Sequence, residues 1–155
     1  MIDRNTPWRG VGDVPMEIWS RTIDGAGGPE GLVRPEAWAS ARPHSALALA
    51  QLAKESRYGT DWDANSVNSK NALNLKDRIN GGYVQAATWE AGVAAWRERI
   101  TSPTYPNGLA LYAETTTLAE YVYVFAPPND QTKTTTEAYL NALISLINGW
   151  GPVSV

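Results

Sequence analysis

The stretch ALALAQLAKESRYGT, Ala46 to Thr60, constrains this chain most. Ala, Leu, Gln and Lys are strong helix formers, and between Ala46 and Ala53 Gln51 is the single polar residue. A helix that is apolar nearly all round belongs in a core, so other elements must wrap it. The run then reaches Glu55, Ser56, Arg57, Tyr58 and Gly59, and the glycine suits a helix stop. Gln51 and Leu52 stand four and three residues before Glu55, which puts them on its face. A carboxyl group at the rim of an apolar core is partly desolvated. That raises its pKa and suits it to donating a proton near neutral pH. The plain alternative is a helix-end glutamate pointing to solvent.

A length of 155 residues suits one domain, spanning 1–155 and able to hold a core without staples. Charged residues make up 19% and hydrophobic residues 43%, which fits a globular protein. Seven Trp and seven Tyr stand against one Phe. Such side chains pair a flat apolar face with a polar tip, so they suit a core and also a sugar- or base-stacking cleft. The core is expected to absorb most of them.

Several function classes lose their footing. A net charge of -3 without a basic patch leaves out the electrostatic term of nucleic-acid binding. The chain has no Cys and one His, His44. Thiol chemistry and thiolate metal sites are therefore absent, and a His-based metal site or Ser-His-Asp triad is poorly supplied. Asp61, Asp63 and Asn65 faintly suggest a calcium loop, but the required Gly and closing Glu are missing. No metal and no cofactor is expected. No apolar run approaches the ~20 residues of a membrane span, so no membrane partner is expected, and the chain is taken as a monomer. MIDRNTPWRG lacks the apolar centre of a signal peptide. The expectation is a phage-encoded protein, one released by another route, or a fragment.

Along the chain, residues 1–43 read as short helices and 44–155 as the main body. Asp13 is placed to cap a helix with Pro15 in its first turn, running to about Ile23. Gly25 to Gly28 break it, and Pro35 opens a second short helix through Trp38 to Ala41. The central helix starts near His44 or Ser45. From Gly59 to Thr88 the chain is rich in Asn, Asp, Ser and Gly, which favour turns. Ala72 to Leu75 and Tyr83 to Ala86 are predicted as short extended pieces about a turn at Asn80-Gly81-Gly82. Thr88 caps a helix whose Trp89, Val93, Trp96 and Ile100 form one stripe, with Arg97 and Arg99 facing solvent. Thr117 and Glu120 fit a capping box, as do Thr134 and Glu137. The last helix is predicted to carry Tyr139, Leu143, Leu146, Ile147 and Trp150 on one face, with Gly149 or Gly151 ending it. The fold class is mainly α, a helical domain with a small polar hairpin lobe forming a cleft.

The order of these pieces resembles the lysozyme-like superfamily, and most closely its glucosaminidase branch of phage and bacterial peptidoglycan hydrolases. AQLAKESRYGT resembles that branch's helix ending in Glu-Ser-x-x-Gly. KNALNLK, Lys70 to Lys76, is similar to its Asn-Pro-Leu-Gly-Leu-Lys segment. Thr88 to Val93 resembles the helix after the hairpin, and TLAEYVYVFAPPND, Thr117 to Asp130, the late helix and its aromatic-Ala-x-Pro turn. These span about two thirds of the chain. Ala72 stands where the pattern has Pro or Leu, Asn74 where many members have Gly, and Phe125 where a Tyr near the cleft is common.

The resemblance implies an α+β lysozyme-like fold and a bacteriolytic glycosidase of endolysin type. Its partner would be a peptidoglycan glycan strand or chitooligosaccharide, met at the bacterial cell wall. Cleavage of a β-1,4 linkage, at an N-acetylglucosamine unit, would use Glu55 as general acid. Glycoside cleavage normally needs two carboxylates. Asp77 is the candidate second group, with Asp61, Asp63 and Glu90 behind it. Substrate assistance by an N-acetyl group would dispense with one, and lytic transglycosylase chemistry stays open. Tyr58, Trp62 and Tyr83 are candidates for stacking on sugar rings, or for packing the lobe. Asn71 could bond an N-acetyl group or close a turn. Tyr121 and Phe125, four apart, share one side of their helix and are the remaining substrate-binding candidates. The alternative function is a non-catalytic cell-wall-binding or purely structural domain of a phage virion.

Overall fold

The structure, a computed structural model, describes residues 1–61, 69–77, 80–102, 112–128 and 133–151. Seven α-helices stand among them: α1 (Met16–Gly25), α2 (Glu30–Val33), α3 (Pro35–Ala41), α4 (Ser45–Ser56), α5 (Trp89–Thr101), α6 (Leu118–Phe125) and α7 (Lys133–Gly149). The fold is mainly helical. Nine of the twelve residues of α4 are buried, because a helix without a polar face has no side to give to water. Helix α7 lies along α4, and α3 packs along α5.

Aromatic residues build the interior as their dual chemistry requires. Trp8, Trp19 and Trp96 are fully buried. Each indole N–H finds an acceptor: Thr115 Oγ1 at 2.9 Å, Leu32 O at 2.7 Å and Gln51 Oε1 at 3.1 Å. Trp8 rests on Tyr121, with ring centres 5.1 Å apart, and on His44 at 5.3 Å. The irregular first residues strap the late helices together. Leu118 N donates to Thr6 O, Ala119 N to Arg4 O, and Ile2 N to Asn148 Oδ1.

Asp13 caps a helix, but not the one expected. Pro15 occupies the N-cap of α1 with no side-chain cap bond. The Asp13 carboxylate instead accepts from Ser45 N at 3.0 Å, the first residue of α4, and from Arg42 Nε at 2.9 Å. Burial alone would push its pKa up. The bonds from Ser45 and Arg42 outweigh that and hold it below the ordinary value. Helix α3 begins at Pro35 and ends at Ala41 as read from the sequence, whereas the single turn α2 before it has no counterpart in that reading.

Helix α4 stops through three successive left-handed residues, Arg57 (φ 47°), Tyr58 (φ 59°) and Gly59 (φ 79°). Tyr58 N reaches back to Leu52 O at 2.9 Å, and Gly59 N donates to Ser56 Oγ. The sequence pointed to Gly59 alone as the stop. After it, the lobe folds over the helices. Lys76 and Tyr83 form an antiparallel bridge, flanked by Asp77 N to Gly82 O and Val84 N to Leu75 O. Among the described residues of the lobe the bridge is that of Lys76 and Tyr83, a further backbone bond runs from Ala86 N to Ser69 O at 3.0 Å, and Ala72 and Leu73 lie in a turn. The lobe docks onto α5 at Gly92, where a β-carbon would run into Lys70 O.

The capping box of α6 is present, with Thr117 and Glu120 bonded reciprocally. The second expected box rests on the Thr134 side chain, which lies outside what the structure describes. Helix α7 already includes Thr134, and the Glu137 carboxylate accepts from Arg4 and Tyr123. On α7, Thr136, Leu140, Leu143 and Ile147 are buried, and Leu146 is only partly so. Arg99, expected in solvent, is 6% exposed and donates to Lys76 O, tying α5 to the lobe.

Asp13→Ala should cost about 1–2 kcal/mol in denaturant unfolding at pH 7, the usual worth of a helix cap. Because the folded pKa is depressed, its charge-dependent part is complete above the ordinary carboxylate value of about 4. It disappears as pH falls through the lower folded value, so the gap to wild type should narrow there. Gly92→Ala should lower the thermal midpoint by an amount equivalent to ~1–3 kcal/mol, because backbone must move to admit the methyl group.

Candidate functional site

Glu55 occupies the last turn of α4, half-buried at the floor of a cleft of about 480 Å3. The lobe supplies one wall through Asn74, Leu75 and Lys76. Helix α5 contributes Arg99, the end of α6 gives Phe125 to Pro127, and α7 adds Thr135, Thr136 and Tyr139. Tyr112 completes the described lining. A volume of this size is typical of small-ligand sites.

Three side chains define the carboxyl group. The Tyr139 hydroxyl donates to Oε1 at 2.8 Å, and Asn74 Nδ2 lies 3.4 Å from Oε2. Behind Tyr139 stands Gln51, one helical turn before Glu55. Its Nε2 donates to the Tyr139 oxygen at 3.4 Å, while its Oε1 accepts from Tyr121 and Trp96. Burial raises the Glu55 pKa. The bonds from Tyr139 and Asn74 and the charge of Lys54 pull it back down but do not cancel burial. Tyr139 is held well above the usual phenol range by burial and by the neighbouring carboxylate.

Asn74 reaches the site through local turn chemistry. The Asn71 amide clamps Leu75 from both sides, donating to its O at 2.8 Å and accepting from its N at 3.0 Å. The enclosed turn places Asn74 at φ 56°, a left-handed conformation that Gly and Asn tolerate best. Asn71 itself is fully buried, so its amide serves the turn and does not face the cleft.

The structure gathers only some of the residues singled out from the sequence. Phe125 lines the cleft and stacks on Tyr121 at 6.1 Å with the ring planes 18° apart. Tyr121 is fully buried, and its hydroxyl points to Gln51, behind the cleft floor. Tyr58 packs half-buried against the core, away from the lining. Asp77 and Tyr83 share a separate recess at the hairpin tip. There the Asp77 carboxylate accepts from Asn80 N at 2.9 Å and from its side chain at 3.3 Å. Glu90 lines a third recess with Glu30 and Arg34. Trp62 and Asp63 lie outside the described residues, and Asp61 is not part of the described lining. Among the described lining residues Glu55 is the sole carboxylate, and Lys76 and Arg99 are the cations. No group of three or more His, Asp or Glu among the described residues could hold a metal ion. No helix among them is long and apolar enough to cross a membrane.

Sequence reasoning missed Tyr139 as a site residue and placed it only in the stripe along one face of α7. A signal existed, since Tyr is the one hydroxylated ring in that stripe and a buried hydroxyl must find a partner. Asn74, Lys76 and Arg99 carried no comparable cue, because a loop and a distant helix bring them together. Comparison with protein-family models, with curated proteins and with solved structures finds no match.

Glu55→Gln separates a desolvated carboxylate from an exposed one. With a raised folded pKa, the native state holds its proton more tightly than the unfolded chain. Wild-type stability therefore declines as pH rises from about 4.3 through the folded value. The amide keeps the shape and carries no charge. Thermal midpoints of variant and wild type should be close at pH 4, with the variant higher at pH 8. A variant less stable at pH 8 would contradict the desolvation.

Proposed function

We propose that this protein is a lysozyme-like glycoside hydrolase acting on the glycan strand of peptidoglycan, with Glu55 as the proton donor. The observation that carries the reading is a half-buried glutamate, its pKa raised by burial, opening into a cleft between a helical body and a polar lobe. A carboxyl group that stays protonated toward neutral pH can protonate a glycosidic oxygen as the bond to the sugar breaks. The resemblance of the Glu55 helix and the Lys70–Lys76 segment to glucosaminidases supports an N-acetylglucosamine linkage at the bacterial cell wall.

The cleft lining constrains the second half of the reaction. With no other carboxylate among the described lining residues, attack on the anomeric carbon falls to the substrate's own N-acetyl oxygen or to water. In the first case the acetamido oxygen forms the new bond as the leaving sugar departs with the Glu55 proton. Water then opens the ring intermediate, and the proton it releases restores Glu55. Phe125 offers an apolar face at the cleft for the flat side of a sugar ring.

A second reading, a non-catalytic wall-binding domain, is favoured by the same lack of a second acid. One experiment separates the two. Wild type and Glu55→Gln are incubated with purified peptidoglycan, and the soluble fragments are analysed by mass spectrometry. The hydrolase reading expects fragments from wild type and a loss of roughly 10²–10⁴-fold in the variant, the range of general-acid catalysis. Anhydro ends on the fragments would assign lytic transglycosylation. Absence of fragments from both proteins, with both sedimenting on the walls, would establish the binding module.

A further inference from the structure

We propose that Gln51 and Tyr139 are positioning residues that fix which oxygen of Glu55 carries the proton: Oε2, the oxygen on the Asn74 side. The groups that can only donate decide the matter. An indole N–H has no acceptor role, so the Gln51 atom 3.1 Å from Trp96 Nε1 must be its carbonyl oxygen. The Tyr121 hydroxyl donates to that same oxygen. The Gln51 NH2 therefore faces Tyr139, and NH2 can only donate. The Tyr139 oxygen accepts that bond, and its one hydrogen is left for Glu55 Oε1 at 2.8 Å.

Oε1 is thus an acceptor whether Glu55 is charged or neutral. A proton on Oε1 would face the Tyr139 hydroxyl hydrogen head-on. Asn74 Nδ2 also donates toward Oε2, but at 3.4 Å against 2.8 Å for the Tyr139 bond. The stronger bond keeps Oε1 as the carbonyl acceptor, and the hydrogen of the acid sits on Oε2. The high pKa of Tyr139 agrees with a phenol that keeps its hydrogen throughout.

Three features make this an arrangement beyond ordinary core packing. Gln51 is the one polar side chain in the run Ala46 to Ala53, where an apolar residue would fill the space without needing partners. Both of its amide atoms are spent on the chain of hydrogen bonds. That chain also ends on the one carboxylate among the described residues of the cleft lining. Its catalytic consequence rests on the reading of Glu55 as proton donor, but the placement of the proton does not.

The test is the Glu55 titration, followed by NMR with carboxyl-13C glutamate, in wild type and in Tyr139→Phe. A hydroxyl that donates in both protonation states stabilises the carboxylate more than the acid. Its removal should move the Glu55 midpoint upward. An unchanged or lowered midpoint overturns the proposal. A bond to a charged carboxylate is stronger than one between neutral groups, so the rise establishes the contact, and the wild-type hydroxyl proton decides which group donates in the acid form. Wild type alone supplies a second measurement, needed if the variant folds poorly. The Tyr139 hydroxyl proton should stay protected from exchange across the titration and move downfield as Glu55 ionises; rapid exchange on the acid side would count against the assignment.

On peptidoglycan, Tyr139→Phe should shift the alkaline limb of the rate profile upward. It should also lower kcat about ten- to a hundredfold with little change in KM, as misoriented catalytic groups do. An upward midpoint with a Tyr139 hydroxyl proton protected on the acid side, but without cleavage by wild type, would retain the proton placement and remove the hydrolase reading. Cleavage by wild type with an unmoved midpoint in the variant would do the reverse.

Discussion

A glutamine amide inside an apolar helix is a demand that the surroundings must meet, since a buried polar atom without a partner costs about 1–3 kcal/mol. Gln51 makes that demand at the centre of this protein. Trp96 of α5 and Tyr121 of α6 meet the carbonyl side, and Tyr139 of α7 meets the amide side. Three helices far apart in sequence are thereby held to one turn of α4. The same hydrogen-bond chain ends on Glu55, so the packing that closes the core also sets the geometry of the candidate acid. Hydrogen bonds of this kind are directional where apolar contacts are not, so they specify how these helices meet.

The ends of α4 are secured from outside the helix. Asp13, from a segment more than thirty residues earlier, caps its first turn, and the left-handed run at Arg57, Tyr58 and Gly59 closes its last. The lobe beyond that run is positioned by backbone as much as by side chains. Gly92 lets it lie directly on α5, the Asn71 clamp shapes the turn, and Arg99 grips the Lys76 carbonyl. Each contact brings the wall bearing Asn74 closer to Glu55. The cleft opens where the Asn74 wall, the end of α6 and α7 meet around Glu55.

Local chemistry accounts for the features legible in advance. Proline at the start of α3, threonine before α5 and the Thr117–Glu120 pair act within one turn of themselves, so their meaning survives in any context. The buried character of α4 was equally legible, because no arrangement of neighbours gives an all-apolar helix a wet face. Asp13 shows the limit of such reasoning. Its side chain had two helix starts within reach, α1 nearby and α4 across the fold, and the choice belonged to packing. Arg99 was misread for a related cause. Position on a helix tells which way a side chain leaves the axis, but not that a loop carbonyl waits there.

By itself the sequence determined a mainly helical chain built on one buried helix, a glutamate at that helix's end, and the hairpin near Gly81 and Gly82. Those features depend on helix and turn preferences and on the cost of wetting apolar side chains, all of which act over a few residues. Only the tertiary structure decided which groups meet Glu55. Tyr139 lies 84 residues away along the chain, and Asp77, so near in sequence, turns to Asn80 at the hairpin tip. Hydrogen-bond partnership at that range is set by how whole helices cross, and no pattern within a single stretch encodes it.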